Sequence, residues 1–134
     1  YRRQRQMCIR DRIYIGGFSM NFVIPSERHQ KSLEYAVNKA SASPIFPYIR
    51  NIVLFGSCAR GDFHWSSDVD LLFIMDDSFN DHTELKSDLF TLRGNISPID
   101  SECPEVDAKF YSESNWKNQN SFFLQNARKD GIVL

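Results

Sequence analysis

The chain has 134 residues and a formal net charge of -1. This length predicts one small domain, and the near-neutral charge argues against a surface built for long nucleic-acid tracks. No apolar run reaches the roughly 18 residues that a membrane-spanning helix needs, so no membrane association is predicted. The three cysteines, Cys8, Cys58 and Cys103, have the spacing of neither a disulfide framework nor a zinc site, which favours a reducing, cytoplasmic compartment.

The N-terminal segment does not resemble the start of a domain. The stretch from Tyr1 to Arg12 contains five arginines and no periodic apolar face. It resembles the translated read-through of a sequencing adapter, so we expect a non-native or disordered leader over residues 1–19. A single domain is then predicted over residues 20–134, with Met20 as the natural start. A genuine basic arm that contacts nucleic acid or a partner is the alternative.

The first predicted helix begins at Ser26, a candidate N-cap, and ends at Ser43-Pro44. Its apolar residues recur at the helical spacing i, i+3, i+4 and i+7, namely Leu33, Ala36, Val37 and Ala40. His29 is assigned to the solvated face of this helix. An apolar run rich in β-branched residues then predicts a strand over residues 49–55, followed by a short helical turn over residues 56–61.

A second, unbroken apolar run predicts a strand over residues 69–75 that is buried on both faces. Asp81 and Glu84 have the spacing of a capping box and predict the start of the next helix. Its apolar stripe comprises Leu85, Leu89 and Leu92, and Gly94 ends it.

The third predicted strand, residues 106–111, alternates between two faces. Val106, Ala108 and Phe110 are expected to face the core, whereas Asp107, Lys109 and Tyr111 face away. Residues 112–130 are predicted to be mainly helical with a break near residues 118–120, and an apolar tail or last strand follows. This order of elements predicts an α/β (α+β) fold in which helices flank a small mixed β-sheet.

Two short motifs bracket the loop between the first two predicted strands. Gly56 and Ser57 follow the first strand, ten residues intervene, and Asp68-Val69-Asp70 opens the second. On a strand, Asp68 and Asp70 would point to one face, where two carboxylates repel unless a cation or a shared proton neutralises them. Paired carboxylates suit Mg²⁺, and a Gly-Ser turn before a short helix suits a phosphate.

This pattern resembles the signature of the DNA polymerase β-like nucleotidyltransferase superfamily, in which Gly-Ser is followed by ten residues and Asp-x-Asp. The segment Ala59-Arg60-Gly61 and Ser67 resemble its minimal nucleotidyltransferase branch. The resemblance implies a third carboxylate from a later strand, for which Asp107 is the candidate and Asp100 the competitor. It implies two Mg²⁺ ions, with Mn²⁺ as an alternative, held by Asp68, Asp70 and Asp107.

The same resemblance implies that an NTP binds at Gly56, Ser57, Arg60 and Ser67. For Arg60, pairing with the triphosphate and pairing with Asp62 or another surface acid remain equal alternatives. The loop Phe63-His64-Trp65 either contacts a base or acceptor, or folds over the core.

The implied reaction is metal-dependent transfer of an NMP, with AMP favoured, from an NTP to an acceptor hydroxyl. Asp107 is the candidate proton acceptor. The resemblance suggests two acceptors. One is a HEPN-type toxin, which this chain would modify as its antitoxin, and the other is a small molecule such as an aminoglycoside. A non-catalytic nucleotide-binding or partner-docking module is the alternative from another class. A phosphodiesterase or nuclease ranks lower, because the motif positions Gly56, Ser57, Asp68 and Asp70 include no histidine or lysine.

Overall fold

The structure, a computed structural model, describes residues 13–15, 18–20 and 22–134. Two short strands, β1 (Ile13–Ile15) and β2 (Phe18–Met20), pair antiparallel. Residues 1–12, 16, 17 and 21 lie outside the described residues. The leader over residues 1–19 and the domain boundary at residue 20 therefore stay predictions.

Four strands form the main sheet: β3 (Ile49–Phe55), β4 (Val69–Met75), β5 (Val106–Ser112) and β6 (Ile132–Val133). Their order across the sheet is β5-β4-β3-β6. Strand β3 pairs antiparallel with β4 and β6, whereas β4 and β5 run parallel. The predicted small mixed sheet is confirmed. Because β4 and β5 are parallel, both strands begin at the same edge of the sheet.

Among the described residues, five α-helices flank this sheet: α1 (Glu27–Ser41), α2 (Ser57–Arg60), α3 (Lys86–Gly94), α4 (Glu113–Asn118) and α5 (Phe122–Asp130). As predicted, Ser26 is the N-cap of α1, and its side chain accepts a hydrogen bond from the His29 backbone N–H. Serine caps also begin α4 and α5, at Ser112 and Ser121. The interruption between these two helices lies where the sequence predicts a break.

The strand alternation divides the core between the two faces of the sheet. On one face, Leu71 and Phe73 of β4 belong to the larger cluster, which includes the predicted α1 stripe of Leu33, Ala36, Val37 and Ala40. On the other face, Leu72 and Ile74 pack with Leu124 and Ala127 of α5. Asp70 is in phase with Leu72, so its side chain belongs to the α5 face.

The face of β5 that was expected to point away from the core is partly covered. Tyr111 packs against the smaller cluster, and its ring stacks on Phe123 with centroids 6.0 Å apart. The expectation of an outward-facing Tyr111 is therefore wrong. Tyr111 is covered because the apolar side of α5 packs against the second face of the sheet.

The predicted capping box at Asp81 and Glu84 is also wrong. Residues 77–81 and 83–85 form short 3-10 turns, and α3 begins only at Lys86, without a side-chain cap. The packing of Phe79, which is 7% exposed, fixes the chain here in turns rather than in a longer helix. Tertiary burial thus overrides a local capping pattern.

Candidate active site

Asp70 and Asp107 are direct neighbours on adjacent parallel strands. Asp70 of β4 is in register with Asp107 of β5 on one side and with Phe55 of β3 on the other. Both acids are the second residue of their strand, so they lie together at the edge where β4 and β5 begin. Asp68 lies one residue before β4 and is exposed, not on the strand itself.

Burial raises the pKa of Asp70 to about 6, and the negative charges of Asp107 and Asp68 contribute to the same shift. Lys109 and Arg60 oppose it in part. The three carboxylates predicted from the sequence therefore share one electrostatic environment. Their mutual repulsion is the kind of local charge excess that a bound cation relieves.

The turn after β3 lies directly against this acid group. Gly56 has φ +75°, and a Cβ atom built on it would overlap the carboxylate oxygen Oδ2 of Asp70. Gly56 precedes α2, and Gly61, with φ +92°, ends that helix. Ser57 is the first residue of α2 and is half-buried. The Gly-Ser turn and the carboxylates thus border a single site.

Cys58 fills the space beneath this turn. It is fully buried, and its Sγ lies 3.6 Å from the Asp68 carbonyl oxygen, to which the thiol donates. Burial, followed by the charges of Asp70 and Asp68, raises its pKa to about 11. The thiol is therefore protonated near neutral pH and packs as a small apolar residue rather than acting as a nucleophile.

Lys109 supplies a positive charge inside the site. Its Nζ lies 3.3 Å from Oδ1 and 3.4 Å from Oδ2 of Asp107. The same nitrogen lies 5.6 Å from the centre of the Phe123 ring on α5. In this structure, Asp107 thus has an ammonium group as its counter-ion.

Arg60 takes the second of the two alternatives that its sequence position left open. It pairs with Asp62 at 3.2 Å and with Asp130, at the end of α5, at 3.3 Å. Its side chain is exposed, so these ion pairs are weak and a triphosphate can compete for the guanidinium. Ser67, a further residue predicted to bind nucleotide, accepts a hydrogen bond from the His64 backbone N–H through its hydroxyl oxygen at 2.8 Å.

Helix α1 fixes the two loops that precede β4 and β5. His29 contacts the Ser67 carbonyl oxygen through Nε2 at 3.0 Å, and its Nδ1 lies 2.7 Å from the Ser26 hydroxyl. The Ser32 hydroxyl donates to the Pro104 carbonyl at 2.6 Å. His29 is 1% exposed, so its assignment to a solvated face is wrong. It positions the backbone just before Asp68.

Trp65 is an exposed aromatic residue of the loop that carries Asp68. Its side chain is 68% exposed, and the Arg28 guanidinium lies 3.8 Å from the centre of its ring. Arg28 also donates to the Trp65 and Glu102 carbonyls at 2.9 and 2.8 Å. Phe63, by contrast, packs against His29 with ring centroids 5.0 Å apart. One face of the indole is therefore covered and the loop is tied to α1.

The carboxylates do not form a ready three-ligand metal site. Across residues 22–134, no group of three or more His, Cys, Asp or Glu side chains is placed to hold a metal ion. The donor types nevertheless fit Mg²⁺, because carboxylate oxygens are hard ligands and the negative charges of Asp107 and Asp68 act on the partly buried Asp70. Mg²⁺ also takes substrate phosphates as ligands, which a protein alone does not supply.

Comparisons with known proteins agree with these features. A model of the nucleotidyltransferase domain family matches residues 39–130. The chain is 32% identical over 105 residues to a protein of Methanocaldococcus jannaschii named "Putative protein adenylyltransferase", an alignment that covers 78% of this chain and 96% of the relative.

A solved structure shares the fold. It is the crystal structure of "a putative nucleotidyltransferase from Sulfolobus solfataricus", with a TM-score of 0.51 and 23% identity, covering 79% of this chain and 78% of that one. At this identity the likeness establishes the arrangement of strands and helices. Within the described part of the chain, none of the helices has the length and apolar character to cross a bilayer.

Proposed function

Because this chain belongs to the nucleotidyltransferase domain family of the polymerase β-like superfamily, we propose that it transfers AMP from ATP to a hydroxyl group of a protein acceptor. One observation carries the proposal: the Gly56 turn lies against Asp70, and Asp107 is in register beside Asp70. A turn suited to an anionic triphosphate and acids suited to cations thus border one site.

The proposed reaction is one substitution at phosphorus. The acceptor oxygen forms a bond to the α-phosphorus, the bond from this phosphorus to the bridging oxygen of the β-phosphate breaks, and pyrophosphate leaves. The proton of the acceptor hydroxyl passes to Asp107, which is exposed at the start of β5. Gly56 and Ser57 hold the phosphates, and the exposed face of the Trp65 indole borders the acceptor side.

The proposal includes Mg²⁺, held by Asp68, Asp70 and Asp107, with two ions per site and Mn²⁺ as an alternative. When bound, the metal neutralises negative charge on the triphosphate and on the attacking and leaving oxygens. The raised pKa of Asp70 supports this role, because it reflects burial and neighbouring negative charge that a cation would offset. Lys109 must then share Asp107 with the incoming cation.

A protein acceptor is favoured by the name of the Methanocaldococcus jannaschii relative, which specifies a protein adenylyltransferase. Within this class, we include a HEPN-type helical partner and an antitoxin role in the cytoplasm, which the resemblance to the minimal nucleotidyltransferase branch implies. Small-molecule acceptors, such as aminoglycosides, would need a pocket beside Asp107 for a compact ligand.

The test uses the purified full chain with ATP labelled at the α-phosphate, Mg²⁺, and candidate partner proteins that include a HEPN-type protein. We expect label on the partner and release of pyrophosphate. ATP labelled at the γ-phosphate should transfer no label, because the γ-phosphate leaves with pyrophosphate. Asp70→Asn should abolish transfer. Transfer of the γ-label, or full activity of Asp70→Asn, would contradict the proposal.

One observation favours the alternative of a nucleotide-binding module without catalysis. Lys109 already neutralises Asp107, and the described residues present no assembled three-ligand metal site. Under this alternative, ATP binds but no pyrophosphate is released with any partner. Measuring ATP binding and pyrophosphate release in the same samples therefore separates the two functions.

A further inference from the structure

The outward face of α3 carries an exposed aromatic residue between two cations. Lys86, Leu89, Phe90 and Arg93 recur at i, i+3, i+4 and i+7 and so share one side of the helix. Phe90 is 79% exposed, whereas Leu89 is half-buried. Lone exposed apolar residues are ordinary, but here the aromatic ring borders a concave surface.

A groove of about 710 Å³ lies beside this face of α3. Phe79, Leu89 and Phe90 supply its apolar lining, and Lys86 and Arg93, from the first and last turns of α3, also line it. A smaller hollow, which shares Phe79 and Leu89, continues it toward Met75. The groove of about 710 Å³ falls within the range of about 300–1,000 Å³ that is typical of ligand pockets. It therefore has room for a few anchoring side chains.

The groove is separate from the candidate active site. The smaller hollow that continues it is lined by Met75 at the end of β4, whereas Asp70 lies near the beginning of the same strand. These positions are five residue steps apart along the strand, which corresponds to about 17 Å. An occupant of the groove would therefore leave the acids accessible.

We propose that this groove is a docking site for an apolar segment of a protein partner that carries acidic residues on both sides of its apolar anchors. The charges select this occupant. Among the described residues, neither Lys86 nor Arg93 forms an ion pair, and Arg93 lies 5.8 Å from the Phe110 ring near the smaller hollow. Asp88 lines a different hollow, beside Lys39.

Two other occupants conflict with these charges. In a symmetric dimer of α3 helices, the same patch contacts itself, so the cations of one chain would face the cations of the other. The N-terminal stretch of this chain has five arginines and one aspartate between residues 1 and 12, so it would bring further positive charge. Like charges brought together in an interface disfavour the complex.

The test does not require transferase activity. A displayed library of amphipathic peptides is selected on the wild-type chain without nucleotide, and the selected peptides are then measured on variants. We expect enrichment of Leu or Phe at i, i+3 or i+4 spacing, flanked by Asp or Glu. Phe90→Ser should lower their affinity at least about tenfold, as truncation of an anchoring aromatic does.

Two matched variants sharpen this test. Phe122→Ser removes an equally exposed phenylalanine, 78% accessible, on α5 and should leave binding unchanged. The double variant Lys86→Glu with Arg93→Glu should weaken binding of acidic peptides and restore binding to versions in which Lys replaces the flanking acids. Four outcomes would each overturn the proposal. Two concern the selection: no peptide is enriched, or the enriched peptides have no acidic bias. The other two concern Phe90→Ser: it binds the peptides as tightly as wild type does, or it dissociates a dimer of this chain. Melting curves confirm that every variant is folded.

Discussion

Gly56 and Asp70 fit against each other with no room for a side chain between them. A Cβ atom at position 56 would overlap Oδ2 of Asp70, and the backbone at position 56 has φ +75°. Only glycine adopts this conformation without strain and also admits the carboxylate. The turn after β3 and the acid on β4 are therefore built as one unit, and a change at either position reaches the other.

Gly56→Ala should abolish binding of Mg·ATP and destabilise the fold by about 1–3 kcal/mol, because it adds backbone strain and pushes Asp70 out of place. Calorimetric titration and urea unfolding measure these two effects. Gly61→Ala is the matched control. Gly61 has φ +92° but no heavy atom within 4 Å of the added Cβ, so strain alone should cost about 1 kcal/mol and binding should persist. If Gly56→Ala bound Mg·ATP as tightly as wild type does, the proposed close fit between Gly56 and Asp70 would be contradicted.

Asp70→Asn should stabilise the folded chain while it removes activity. Burial and the nearby charges of Asp107 and Asp68 raise the pKa of Asp70 from 3.8 to about 6. The folded state therefore binds more protons than the unfolded state in this window, and the free energy of unfolding falls as the pH rises through it. Above about pH 6, Asp70 is ionised in the folded state, and the full cost of its buried charge lowers the free energy of unfolding. A neutral amide at this position avoids that cost.

The expected gain for Asp70→Asn near pH 8 is about 1–2 kcal/mol, since two pKa units correspond to about 3 kcal/mol and solvent screening reduces this for a partly exposed group. Urea unfolding at about pH 8 and pH 4 measures it, and the difference from wild type should shrink at the lower pH. Asp81→Asn, at an exposed position outside the site, should show no such gain. Equal stability of wild type and Asp70→Asn at both pH values would contradict this account.

The sequence could predict the candidate site because its parts follow local rules. Strand alternation places Asp107 on a different face from Val106 and Ala108, and two apolar runs bring β4 and β5 into one sheet. The burial of His29 could also be predicted from the sequence, because His29 lies four residues before Leu33 on the buried stripe of α1. The hydrogen-bond partner of His29 could not be predicted, since the Ser67 carbonyl is 38 positions away and no local pattern specifies that contact.

Two other features depend on packing that the sequence does not encode locally. Arg28 covers Trp65 and joins it to the Glu102 carbonyl, which links three separate segments of the chain. Asp81 and Glu84 have the spacing of a helix start, but the burial of Phe79 keeps them in 3-10 turns. Patterns of a few residues predict elements well, and they predict contacts between distant loops poorly.

Lys109→Met should strengthen the binding of Mg²⁺ in the absence of nucleotide. The Lys109 ammonium lies 3.3 Å from Asp107 Oδ1, so it would compete with the proposed metal for the same carboxylate. Methionine keeps the apolar stem that lies near Phe123 and removes the charge. The measurement is the rise in melting temperature as Mg²⁺ is added. Lys117→Met, which removes a more exposed lysine 4.0 Å from Glu113, should respond as wild type does. A smaller Mg²⁺ response in Lys109→Met would show that Lys109 supports the site instead.

The buried His29 side chain joins α1 to the loop before Asp68. Burial lowers its pKa from 6.5, and the positive charge of Arg28 acts in the same direction, against the hydrogen bond to the Ser67 carbonyl, which raises it. The neutral ring donates from Nε2 to that carbonyl and accepts at Nδ1 from the Ser26 hydroxyl. Protonation disrupts this arrangement and places a charge at a site that is 1% exposed.

His29→Gln should remove one pH-dependent component of stability. Because the folded pKa of His29 lies below its unfolded value of 6.5, the unfolded state binds more protons in that window. Its stabilising contribution is complete above pH 6.5 and falls as the pH drops below this value. Urea unfolding at about pH 7.5 and pH 5.5 should therefore show a larger loss in wild type than in His29→Gln, whose amide can still donate to the Ser67 carbonyl. His64→Gln, at an exposed loop position, is the control, and an equal loss in wild type and His29→Gln would exclude His29 as the source.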